Sequence, residues 1–184
     1  TKNQNFLKRW KARVGEVEAE KIKNHSASRG TAMHKFLEHH VLGTGYEDLT
    51  LIGNEARPMA NKIIEVGLTP VEEYYGSEVM LHYPGLYAGS TDLICLHNDM
   101  ETVVDFKQSN RPKKKEWIED YYLQIAAYAM AHDYVYGSQI QQGVIMICTP
   151  DLYYQEFKTE GLSLRKHKHK FLKRLDMYNE LIHD

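Results

Sequence analysis

Apolar and β-branched residues crowd into two runs, 86–97 and 101–107, separated by the polar pair Asn98-Asp99. Strand-forming runs joined by turn chemistry predict an antiparallel hairpin. A symmetric two- or four-residue loop would set Asp92 opposite Asp105 on one face, with Lys107 two residues further on the same side. Ahead of the hairpin, 76–83 alternates as a first strand carrying Glu78. A three-residue link through Pro84-Gly85 would put Glu78 opposite Asp92, and a two-residue link would turn it away; the pattern does not choose between them. Apolar residues at helical spacing predict a helix over about 6–23, through Phe6, Leu7, Trp10, Val14 and Val17, and a second from a cap at Ser26 or Ser28 to about Gly43. A third helix is predicted over 54–66, with Pro58 near its start and Gly67 as its stop. Residues 116–136 read as a helix buried along Ile118, Tyr122, Ile125, Ala126 and Ala129. Strands over 143–148 and 152–157 follow, and a closing helix over 164–182 carries Leu164, Phe171, Leu172, Leu175, Tyr178 and Ile182. The order predicts an α/β fold, a mixed sheet between helices.

Size and composition narrow the classes. The 184 residues suit one domain with a proper core and are few for two. The expected division is a helical part at 1–66, a sheet with its helix at 76–158, and a terminal helix at 162–183. No run of 18 apolar residues predicts a membrane span, and the first residues lack a signal-peptide pattern. Cys95 and Cys148 are the only cysteines and read as buried thiols in a reducing, intracellular compartment. Two cysteines cannot supply a four-cysteine iron–sulfur cluster. The net charge of −2 leaves no global basic footprint. Positive charge is local, at Lys113-Lys114-Lys115 and at 165–174, where the plain reading is a solvated surface. No coiled-coil pattern or long apolar face points to an oligomer, so a monomer is expected.

The predicted site brings two carboxylates to about 5 Å, a repulsion of roughly 3 kcal/mol at an effective dielectric near 20. Such a pair persists when a divalent cation lies between its members or when one is protonated. Hard carboxylate oxygens suit Mg²⁺ or Mn²⁺. Taken alone, Asp105 and Lys107 could equally be an exposed-edge charge pair, His34 a structural histidine, Glu78 a salt-bridge residue at the sheet edge, and Gln124 with Tyr128 a polar stripe.

In series, these residues resemble a known family. Gly89-Ser90-Thr91-Asp92, Asp105-Phe106-Lys107 and Gln124 to Tyr128 are similar to the G-x-x-D, D-x-K and Q-x-x-x-Y elements of the PD-(D/E)XK nuclease superfamily. Arg29-Gly30-Thr31 with His34 and Glu38 resembles the histidine helix of its RecB-type branch. Leu7-Lys8-Arg9-Trp10-Lys11 is similar to the phrase that precedes this helix in mitochondrial genome maintenance exonucleases and their phage relatives. The resemblance covers most of 6–136 and implies a restriction-endonuclease-like α/β/α fold. It implies a DNA exonuclease using Mg²⁺ or Mn²⁺, without an iron–sulfur cluster, acting on single-stranded DNA from free ends. Asp92, Asp105 and the Phe106 carbonyl would hold the metal with His34 and Glu78. Lys107, Gln124 and Tyr128 would serve the reaction, and Arg29, Ser109, Lys113, Lys114, Lys115 and Tyr121 would contact DNA. The small size favours a bacterial or phage source over a mitochondrion. A structure-specific or repair endonuclease, and a non-catalytic nucleic-acid-binding protein, stay open as alternatives.

Overall fold

Residues 2–183 are described by the computed structural model; Thr1 and Asp184, counted in the expected single domain, lie outside them. Helices α1 (Lys2–Val14), α2 (Glu16–Leu42) and α3 (Leu51–Lys62) come first. Strands β1 (Val71–Tyr83), β2 (Tyr87–His97) and β3 (Met100–Gln108) follow, then α4 (Glu119–Tyr136), β4 (Gln142–Cys148), β5 (Tyr154–Glu160) and α5 (Gly161–His183). The sheet has the spatial order β1-β2-β3-β4-β5, parallel between β3 and β4 and antiparallel elsewhere. Helix α4 is the crossover that a parallel neighbour requires. The α/β fold expected from the pattern is present.

Alternation along the strands divides the core in two. Leu93, Cys95, Val104, Phe106 and Met146 pack against Met33 and Leu37 of α2 and Met59 of α3. On the opposite face Ile94, Val103, Ile145 and Ile147 pack against Ile118, Tyr122, Ile125 and Ala129 of the α4 layer, the predicted stripe. Strand β4 is buried at all its positions, as its unbroken apolar run requires once helices cover both faces. Each aliphatic side chain buried there contributes about 1.5–3 kcal/mol. Helix α4 lies close on this strand: a Cβ at Gly143 would stand 2.0 Å from Ile125 Cγ2. Gly143→Ala is therefore expected to destabilise the fold by about 1–3 kcal/mol, read by chemical denaturation.

Several boundaries differ from expectation. The first helical break falls at Gly15, at φ 85°, where only glycine is unstrained. Helix α2 then runs through Ser26 and Ser28 without a cap, and Ser26 Oγ instead donates to Asn110 Oδ1 at 3.2 Å. Helix α3 begins at Leu51 because Thr50 Oγ1 accepts the Gly53 N–H at 3.0 Å, so Pro58 lies inside the helix. A π-turn, Ile63–Gly67, ends it at the expected glycine. In α5 the apolar stripe is half-buried at Phe171, Leu172 and Leu175, whereas Tyr178 and Ile182 are exposed. Part of the basic cluster on α5 pairs with acids of α4, Lys170 with Glu119, and Arg174 with both Glu119 and Asp120. Among the described residues, no helix is long and apolar enough to cross a membrane.

Candidate active site

The β2–β3 hairpin has the predicted register, Leu93 facing Val104 and His97 facing Met100. The ladder stops at Leu93 and Val104, so Asp92 and Asp105 stand where the strands part. In an antiparallel ladder one residue's N–H and C=O serve the same neighbour. Phe106 has lost that neighbour, and side chains replace it. Its N–H donates to Asp92 Oδ2 at 2.6 Å, and its carbonyl accepts from His34 Nε2 at 2.8 Å. His34 arrives on α2, with Nδ1 held 2.9 Å from the Gly30 carbonyl.

Facing acceptors at both ring nitrogens, His34 carries two protons. Burial opposes this charge. The hydrogen bond and the charge of Asp92, 3.3 Å away, together with the Gly30 carbonyl and Asp105, outweigh burial and raise the imidazole from 6.5 to about 9. Asp92 is itself held low: burial pushes it up, but His34 and the Phe106 N–H more than compensate. Asp105 goes the other way. Burial and the charge of Asp92 lift it well above the usual carboxylate range despite the opposing Lys107 ammonium. Two adjacent carboxyl groups with divergent proton affinities are a pattern found in reactive sites.

Lys107 Nζ lies 2.9 Å from Asp105 Oδ2, yet off-line for a hydrogen bond, and that buried oxygen accepts none. The same ammonium donates to Gln124 Oε1 at 3.1 Å, and Gln124 Nε2 donates to the Tyr128 oxygen at 2.9 Å. Both partners come from α4, so a side-chain relay crosses from the sheet to the helix. Gly89 makes room for it, since a Cβ there would stand 3.0 Å from Tyr128 Cε1. Tyr121 places its ring centroid 5.0 Å from Lys107 Nζ.

The β1–β2 link is the three-residue one, with Tyr83 facing Tyr87. Ser77 faces Leu93 and Val79 faces Thr91, which puts Glu78 opposite Asp92. Glu78 has φ 50°, a strained left-handed backbone for a residue of its type. Burial, then the charge of Asp92 and of Glu38, raise its carboxyl, with His34 opposing. His34, Glu38, Glu78, Asp92, Lys107 and Gln108 help line a cavity of about 500 Å³.

Not every expected residue reaches this cavity with a free group. Arg29 is buried, and its guanidinium donates to Gln108 at 2.8 and 3.1 Å, to Glu55 at 3.1 Å, and to Asn110. It ties α2 and α3 to the end of β3 rather than presenting charge to a phosphate. Ser109 is also buried and donates to the Arg111 carbonyl at 2.6 Å, a turn bond that occupies its hydroxyl. Lys113 is half-buried, with both main-chain groups bound by Gln155 at 2.7 and 2.9 Å, whereas Lys114 and Lys115 are exposed. Sequence reasoning missed the Arg29–Gln108–Asn110 tie; its members lie about 80 residues apart, and no local pattern links them.

Among the described residues, no three His, Cys, Asp or Glu side chains form a ready-made metal cage. Of the expected ligands, His34, Asp92 and the Phe106 carbonyl meet, with the His34 N–H donating to that carbonyl and flanking Asp92. The donor chemistry nevertheless fits a hard cation: a buried carboxylate oxygen without a hydrogen bond beside a second carboxylate.

No protein-family model matches the chain, and no curated protein matches it. Among solved structures it is similar to a presumed exonuclease from Eubacterium rectale, with TM-score 0.53 and 12% identity over 84% of this chain and 66% of that one. The chain thus spans just under two thirds of that protein's length. At this identity the similarity speaks for the fold alone. Lower-scoring matches are a protein designated SSO0001, with TM-score 0.44 and 16% identity over 94% of this chain and 70% of that one, and an alkaline exonuclease from Laribacter hongkongensis. The latter has TM-score 0.32 and 14% identity over 82% of this chain and 80% of that one. At those scores the likeness carries no argument.

Proposed function

We propose that the chain is a nuclease domain that hydrolyses DNA phosphodiester bonds with Mg²⁺ or Mn²⁺, from free ends of single-stranded DNA. The observation that carries the reading is the meeting of Asp92, Asp105 and Lys107 where two strands part, with one buried carboxylate oxygen left without a hydrogen bond. The fold shared with the presumed exonuclease of Eubacterium rectale supports the reaction class.

A cation held by Asp92, Asp105 and the Phe106 carbonyl would supply Lewis acidity toward the phosphate and toward water. Glu78 is placed to add a carboxylate, directly or through water. Lys107, positioned by Gln124, orients the attacking water or offers its charge to the phosphoryl oxygens as they gain negative charge. Tyr128 is the acceptor that fixes Gln124 and so the direction of the ammonium. His34 holds a proton against the Phe106 carbonyl, and a cation taking this oxygen from the same side would displace it. The two free, buried thiols fit a reducing compartment, and residues 1–184 act as one unit in this reading.

Purified protein with Mg²⁺ or Mn²⁺ should shorten a linear single-stranded oligonucleotide and leave a closed single-stranded circle intact, with both untouched in EDTA. Rapid cutting of the circle would mean an endonuclease. DNA binding without cleavage under any divalent ion would mean a binding protein. Lys107→Ala is expected to lower kcat by about 10²–10³-fold with far-UV circular dichroism unchanged.

A further inference from the structure

Trp117 is 64% exposed, unusual for the side chain with the largest apolar surface. It is not loose. It closes the 3-10 turn Lys115–Trp117 that leads into α4, with its N–H on the Lys114 carbonyl at 2.9 Å and the next residue, Ile118, wholly buried. Lys114 Nζ stands 5.2 Å from the indole centroid. Four residues on, Tyr121 repeats the arrangement with Lys107 Nζ at 5.0 Å. Two ring-and-ammonium pairs therefore follow one another from the 3-10 turn into the first turn of α4, and the second contains Lys107.

The local charge is also unbalanced. Glu119 and Asp120, the acids nearest this turn on α4, are taken up by Lys170 and Arg174 of α5. Among the described residues, Lys113, Lys114 and Lys115 have no salt-bridge partner, whereas Glu116, between the triplet and Trp117, remains as an opposing charge. The backbone of the triplet is held by the Gln155 side chain at Lys113. An exposed ring on an anchored backbone, beside ammonium groups without salt-bridge partners, suits a ligand that alternates flat apolar faces with anions.

We propose that Trp117, flanked by Lys114 and Lys115, is a stacking platform for an unpaired base of a single nucleic-acid strand entering the site. Its place beside cleavage rests on the nuclease reading above. The platform selects single strands because a ring stacks only on a free base face, and neighbours cover such faces inside a duplex. The lysines take the adjacent phosphates without reading sequence.

The chain has two tryptophans, so Trp10→Phe leaves Trp117 as the sole indole reporter. In EDTA, a thymidine 20-mer should quench its fluorescence saturably, and a blunt hairpin duplex with the same number of phosphates should not. Trp117→Ala should bind the 20-mer about 5- to 100-fold more weakly by anisotropy, and Trp117→Phe should recover most of the loss. Where cleavage is measured, the defect should fall on KM. Unchanged fluorescence with parental binding by Trp117→Ala overturns the platform, as does equal quenching by the duplex. Quenching by the 20-mer in a protein that cleaves nothing under any divalent ion upholds the platform and removes the nuclease reading. Cleavage with a silent Trp117 removes the platform alone.

Discussion

Replacing Asp105 by Asn is expected to reduce cleavage by about 10³-fold or more and, in EDTA at pH 8, to raise the melting temperature. The loss follows from removing a hard anionic donor and the partner of Lys107. The gain follows from linkage. Burial and Asp92 raise the folded-state carboxyl of Asp105, so ionising it disfavours the fold. That penalty is absent below about pH 4, where folded and unfolded chains both carry the proton, and grows as pH rises toward the folded-state value. An amide at 105 turns its oxygen to Lys107 and its NH₂ to Asp92, replacing repulsion by a hydrogen bond. Each kcal/mol regained is worth about 2–4 °C in a chain of this size. Thermal unfolding at pH 4 and pH 8 checks this: an equal gain at both, or none at pH 8, contradicts it. Added Mn²⁺ should raise the melting temperature of the parent by mass action and leave Asp105→Asn unmoved.

The second large effect concerns His34. Its folded-state value is raised from 6.5 to about 9, so in metal-free protein its contribution is complete below about pH 6.5 and is lost as pH rises through 9. The size is on the order of 3 kcal/mol, shared with Asp92 because the two bond to one another. His34→Ala should therefore be less stable than the parent at pH 6 and approach it at pH 9.5, by urea denaturation in EDTA. In the proposed site, where the cation displaces the Nε2 proton from the Phe106 carbonyl, parental affinity for Mn²⁺ should strengthen with pH between 7 and 9, by up to about tenfold per pH unit. Calorimetric titration should find that slope absent in His34→Ala. A parental affinity independent of pH would mean that the cation binds without displacing this proton.

The parts of the site legible in the sequence depend on local geometry. Strand period and the Asn98-Asp99 turn suffice to bring Asp92 and Asp105 together, and the helical period alone puts Gln124 and Tyr128 on one face of α4. The Glu78 position hung on one residue of turn length, which Pro84-Gly85 does not specify, and the structure has the three-residue link. Less legible was anything decided by tertiary partners. Arg29 reads as a phosphate contact beside Gly30-Thr31, but Gln108 and Asn110 come from a distant strand end and claim its guanidinium. The helix break moved to Gly15 because a left-handed backbone ends a helix more firmly than an available serine hydroxyl. The end of the ladder at Leu93 was invisible for a different reason: the carboxylate and imidazole that replace it are side chains, and strand patterns describe only backbone pairing.

His34 reaches Phe106 from one helical layer, while Gln124 and Tyr128 hold Lys107 from the other. The two halves of the site meet at the end of β3, with Asp92 of β2 between them, like jaws on a common hinge pin. A shift of either helical layer would move its half of the site without breaking a strand-to-strand bond. The proposed site is thus more exposed to a shift of either layer than the sheet that carries it.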